Sequence, residues 1–81
     1  MEIKILGMGC SNCQKLFEAA TAAVEKTGIA AEVTKVESPQ EIMVYGIMRT
    51  PALVIDGKVK STGKIPSLAE ISAWINSAAG A

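Results

Sequence analysis

The chain has 81 residues, 49% of them hydrophobic and 20% charged, and its eight basic and eight acidic side chains cancel. That size and composition predict one domain spanning residues 1–81, with room for a single core and little stability in reserve. Scattered, balanced charge offers no basic stripe for nucleic acid and no polybasic segment for anionic lipid, so neither nucleic acid nor membrane is an expected partner.

The apolar run from Ile3 to Met8 is broken by Lys4 and is too short for a signal-peptide core or a membrane span, so the fold is expected to start at Met1, in the cytoplasm. Within it, Glu2-Ile3-Lys4-Ile5-Leu6 is β-branched and partly alternating, and Gly7 and Gly9 bracket its end, which predicts a strand leaving a sheet at a tight loop. The chain's two cysteines, Cys10 and Cys13, follow directly. From Ser11 to Thr27 the apolar residues Leu16, Ala20, Ala23 and Val24 recur at helical spacing, and Gly28 is a natural stop. Cys10 thus falls at the start of a helix and Cys13 inside its first turn. Ala31 to Val36 reads as a second strand, weakly enough patterned to lie at an edge. Strand, helix, strand makes a parallel unit.

Ser38 as N-cap, Pro39 at the first helical position and Glu41 placed for a capping box start a short second helix that ends at Gly46. Thr50-Pro51 then introduces the strand Ala52-Leu53-Val54-Ile55, and Asp56-Gly57 turns it into an antiparallel partner from Lys58 to Ser61. Ser67 and Glu70 form a second capping-box pattern, followed by an apolar face of Leu68, Ile71, Ile75 and Ala78 that ends near Gly80. The predicted order is βαβαββα in an α/β fold.

The chemistry rests on the two sulfurs. The chain has no histidine, and its sequence shows neither a phosphate-cradling glycine loop nor a convergent set of carboxylates. A four-residue loop would restrict the unfolded chain little, so Cys10-Ser11-Asn12-Cys13 is a poor staple, and a catalytic or ligand role is the leading reading. A sulfur at a helix N-terminus meets free N–H groups and the positive dipole end, which lower a thiol pKa from its ordinary value of about 8.5. Cys10 is therefore the expected nucleophile. Cys13, one turn on, is placed to attack the Cys10 sulfur and leave an intramolecular disulfide. Two thiolates also suit two-coordinate Cu(I), so a soft-metal carrier is the alternative, whereas structural zinc needs four ligands. Pro51 on its own reads as a proline that opens a strand without needing its N–H.

The element order, the C-x-x-C between first strand and first helix, and Thr50-Pro51 opening the third strand resemble the thioredoxin fold. The chain is most similar to the small thioredoxin-like and glutaredoxin-like redox-active disulfide proteins of archaea and bacteria, through Gly7 to Gln14, Thr50 to Gly57 and the stretch from Gly63 to Ile71. The resemblance implies a four-stranded mixed sheet flanked by three helices and a monomer that reduces protein disulfides. It implies Cys10 as the attacking and Cys13 as the resolving thiol. It also implies a cis bond before Pro51, a substrate chain pairing with Thr50, and no cofactor beyond the Cys10–Cys13 disulfide. The electron donor would be a thioredoxin reductase or another thiol donor.

Met8, Gly9, Ser11, Asn12, Thr50 and Pro51 form the expected substrate-binding surface. Met8-Gly9 stands where thioredoxins carry a Trp, and Ser11-Asn12 replaces their Gly-Pro. Their buried acid has no evident counterpart, since the first strand offers only Glu2. The segment Gly7 to Cys13 also resembles the loop of small heavy-metal-associated domains, but that family is built as βαββαβ and ends in a strand. Trp74 is expected to anchor the core, and Met43 and Met48 to fill it. Thr62-Gly63 falls roughly where glutaredoxins bind glutathione, without their paired glycines. Arg49 reads either as a neighbour of the cysteines or as a solvated charge.

Overall fold

A computed structural model describes residues 1–8 and 11–80. Its elements are β1 (Glu2–Leu6), α1 (Ser11–Thr27), β2 (Glu32–Val36), α2 (Pro39–Val44), β3 (Ala52–Ile55), β4 (Lys58–Thr62) and α3 (Leu68–Gly80). The strands form one mixed sheet in the order β2-β1-β3-β4, with β1 and β2 parallel and the other two pairings antiparallel. The helices at 39–44 and 68–80 set this order apart from the βαββαβ arrangement of heavy-metal-associated domains. No helix among the described residues is long and apolar enough to cross a membrane.

Strand alternation divides the core in two. Ile3, Ile5, Leu53 and Ile55 turn to one face, where they pack with Leu16, Ala20 and Ala23 of α1 and Ile71 and Ile75 of α3. The small side chains of Ala20 and Ala23 suit the close packing of α1 against α3. Leu6, Val36, Ala52 and Val54 turn to the other face, which Ile42 of α2 covers, with Tyr45 and Ile47 alongside. Each large aliphatic side chain fully withdrawn from water contributes about 1.5 to 3 kcal/mol, so the first face carries most of the hydrophobic stabilisation. Trp74 packs partly buried against that larger cluster.

Local signals place the ends. Asp56 and Gly57 have φ of 48° and 83°, the pair of left-handed residues that a two-residue hairpin turn requires. Asp56 also ties this turn to β1: its N–H donates to the Glu2 carbonyl and its Oδ1 accepts the Glu2 N–H, both at 2.8 Å. At α3 the capping box closes in both directions, with the Glu70 N–H donating to Ser67 Oγ at 3.1 Å and the Ser67 N–H to Glu70 Oε1 at 3.2 Å.

Four expectations need correction. Ser38 makes no side-chain cap bond; its hydroxyl donates to Gln40 Oε1 at 3.0 Å, and its oxygen accepts no N–H of the first turn. Met43 and Met48 do not fill the core but are 75% and 98% exposed. With six residues, α2 turns only Ile42 inward, and Met48 lies in the bend beyond the helix. Leu68, as the first residue of α3, sits at the rim of its apolar face and is 40% exposed. The second strand begins at Glu32 rather than Ala31.

Candidate functional site

The carboxyl end of β1 and the start of β3 meet because the two strands run antiparallel with Leu6 opposite Ala52. The residue after Leu6 and the residues before Ala52 are therefore neighbours by register alone. Gly7 extends the parallel ladder by one step, its N–H donating to the Val36 carbonyl at 3.0 Å. Beyond it the chain reaches the first turn of α1.

Cys13 is the third residue of α1 and is 6% exposed. It heads the buried stripe Cys13, Leu16, Ala20, Ala23, whose helical spacing turns the sulfur toward the sheet. Cys13 is disulfide-bonded. Its sulfur lies against the backbone of Gly7, so closely that a Cβ built on Gly7 would overlap Cys13 Sγ. The same point lies 3.9 Å from Thr50 Cβ. Gly7, Cys13 and Thr50 thus converge from three segments of the chain.

The Thr50–Pro51 peptide bond is cis, with Thr50 exposed and Pro51 buried. Pro51 is held from the far side by Gly63, whose N–H donates to the Pro51 carbonyl at 2.9 Å. Gly63 has a φ of 70°, and a Cβ there would stand 3.0 Å from Arg49 Cδ and 3.1 Å from Arg49 Cβ. The aliphatic stem of Arg49, the residue preceding Thr50, therefore lies across Gly63.

Of the other residues proposed from sequence, Met8 is 67% exposed beside Gly7, and Ser11 and Asn12 are exposed at the start of α1. Gly9 and Cys10 lie outside the described residues. The buried polar side chains among the described residues are Ser61 and Ser72, neither of them an acid. Glu2 lies at the opposite end of β1, where its carboxylate pairs with Lys4 Nζ at 3.2 Å. Lys4 also donates to the Tyr45 hydroxyl at 3.2 Å, and these two partners, Tyr45 first, raise its pKa. Among the described residues no three His, Cys, Asp or Glu side chains gather as metal ligands.

Sequence reasoning missed the contact role of Gly7, treating it as a loop glycine. It also missed the cluster in which Lys35 Nζ donates to Gln14 Oε1 at 2.7 Å and sits 4.7 Å from the centroid of the Phe17 ring. The available signal was positional: Lys35 and Val33 share the strand face that turns toward α1.

Residues 1–76 match the family model described as a thioredoxin domain. The chain is 41% identical over 71 residues to a thioredoxin of Methanothermobacter thermautotrophicus, a match covering 88% of this chain and 92% of that protein. It is 39% identical over 75 residues to a thioredoxin of Methanocaldococcus jannaschii, covering 93% of this chain and 86% of the relative.

Proposed function

The chain belongs to the thioredoxin family, and on that premise we propose that it reduces protein disulfides by dithiol exchange through Cys10 and Cys13. Thiol–disulfide oxidoreduction is the general chemistry its relatives share with it. The observation that carries the finer reading is the convergence of disulfide-bonded Cys13 with Gly7 and Thr50 beside the cis Thr50–Pro51 bond.

In this reading the Cys10 thiolate attacks one sulfur of the substrate disulfide and releases the other as a thiolate. A mixed disulfide between Cys10 and substrate forms. The Cys13 thiolate then attacks Cys10 Sγ, releases the second substrate thiol and leaves the Cys10–Cys13 disulfide. Two electrons and two protons pass to the substrate in all. Cys10 directly precedes Ser11, the first residue of α1, so the helix terminus favours its thiolate. The burial of Cys13 suits a thiol that reacts only with its neighbour. Exposed Thr50 offers backbone to a substrate chain, with Met8, Ser11 and Asn12 exposed alongside. A thioredoxin reductase or another dithiol protein returns the electrons, and the working unit is a cytoplasmic monomer of one domain.

The test is turnover of a protein disulfide, with insulin as probe, by wild type, Cys10→Ser and Cys13→Ser. Wild type is expected to turn over, Cys10→Ser to lose activity by at least about a hundredfold, and Cys13→Ser to accumulate a mixed disulfide with substrate. A wild type that does not turn over, or a Cys10→Ser variant that does, overturns the reading.

A further inference from the structure

Gly28, Gly46, Gly57 and Gly63 have φ between 68° and 83°, a backbone conformation that explains each glycine. Gly7 is not among them. Its backbone would accept a side chain, and what excludes one is the Cys13 sulfur, which lies far inside contact distance of the point a Cβ would take. Cys13 Cβ lies 3.2 Å from the same point. Neither backbone is free to retreat. Gly7 is buried and bonded to Val36, and α1 is pinned through Leu16 and Ala20 to Ile3 and Ile5.

We propose that the missing Cβ of Gly7 is the seat of the Cys13 sulfur in the disulfide state, making Gly7 a positioning residue that favours the disulfide over the dithiol. The proposal rests on the reading of Cys13 as half of a redox couple. A disulfide fixes the sulfur, so an overlapping methyl group cannot be avoided by rotating it. A free thiol has other staggered χ1 positions and turns away at small cost. A methyl at position 7 therefore weighs more heavily on the oxidised protein than on the reduced one. By linkage, that difference appears in the redox equilibrium. The glycine keeps the oxidised form low in free energy, which is what makes the dithiol a stronger reductant.

The experiment equilibrates the full chain, as wild type and as Gly7→Ala, with glutathione buffers and reads the reduced fraction by thiol alkylation. Reduction of one protein disulfide converts two glutathione molecules into one glutathione disulfide, so two electrons and two protons move. The expected result is an equilibrium constant for reduction of Gly7→Ala raised by about tenfold or more, which for this couple is a potential less negative by about 30 mV. Thermal unfolding provides a second readout should the oxidised variant fold poorly. Gly7→Ala should cost much less stability in a Cys13→Ala background than in the oxidised wild type, because the overlapping sulfur is gone. An unshifted equilibrium, or an undiminished stability cost in the Cys13→Ala background, overturns the inference alone. A wild-type disulfide that does not exchange with glutathione overturns the redox reading and this inference with it.

Discussion

The two faces of the sheet are built to different standards. On one, seventeen-residue α1 and thirteen-residue α3 cover Ile3, Ile5, Leu53 and Ile55, and the side chains between them are fully withdrawn from water. On the other, six-residue α2 covers Leu6, Ala52 and Val54 chiefly through Ile42 and leaves Met43, Val44 and Met48 at 75%, 82% and 98% exposure. A helix that short is not stable by itself and holds its shape only by docking. The difference teaches where rigidity is needed. Cys13 belongs to the buried stripe of the heavily packed face, so the first turn of α1 inherits the stiffness of the larger core. The lightly covered face borders the segment from Tyr45 to Arg49 that leads into Thr50, and with Val59 and Thr62 of β4 it forms a shallow groove.

The sharpest way to break this comparison is to truncate one residue on each face. Leu53→Ala removes a side chain with no exposure from between β1, β4 and the helices, and should cost about 3 to 5 kcal/mol in chemical unfolding. Ile42→Ala, at 8% exposure under a helix that is able to settle onto the sheet, should cost about 2 kcal/mol, at the low end of such truncations. Equal losses at the two positions would show that α2 is packed as rigidly as α1 and α3.

Much of this architecture was legible in the sequence because its signals are local. The apolar stripe of Ser11–Thr27, the Asp56-Gly57 turn and the Ser67/Glu70 box each carry their own period or turn chemistry, and each stands where that chemistry puts it. Met43 and Met48 failed because their fate depends on how few residues of α2 reach the sheet, which no local pattern records. Ser38 and Glu41 carry the same spacing as Ser67 and Glu70, yet the Ser38 side chain bonds to Gln40 Oε1 and not to the backbone of the first turn, a choice of side-chain orientation that spacing does not decide. At the candidate site, Thr50-Pro51 and Cys13 were visible as separate motifs. Their meeting with Gly7 needed the Leu6–Ala52 register, which brings distant segments together. Gly7 looked like a turn glycine because the reason for it is a sulfur six positions further along, and not its own backbone angle.

The two boxes give the next prediction, of intermediate size. Ser67→Ala should destabilise the protein by about 1 kcal/mol, because it removes a formed cap from the N-terminus of α3 on the well-packed face. Ser38→Ala removes no cap from α2 and should leave unfolding nearly unchanged. The reciprocal partner adds a pH signature. The Ser67 N–H, and then the Ser67 hydroxyl, hold the Glu70 carboxyl below its ordinary range. A carboxyl whose pKa is lower folded than unfolded stabilises the fold above the unfolded value, and that contribution disappears as pH falls through the folded value. Wild type should therefore exceed Glu70→Gln in melting temperature at neutral pH, and the gap should close on acidification through the carboxylate range. A gap that persists in acid would mean that Glu70 acts through its shape and not its charge.

The smallest expected effect bears on the lightly covered face directly. Met48→Gln and Met43→Gln replace side chains that already lie in water, so each should change stability by no more than about 0.5 kcal/mol in either direction, as surface substitutions usually do. The result is informative because of its near neighbours. Ile42 and Ile47 belong to the same stretch of chain and pack against Leu6, Val36, Ala52 and Val54. If both methionines are neutral while Ile42→Ala is costly, the stability of this face resides in the few side chains that α2 and the following loop turn inward. If Met48→Gln costs more than about 1 kcal/mol, the methionine covers Val59 or Tyr45 in solution. The contrast between the two faces would then narrow at the edge that leads into Thr50 and Pro51.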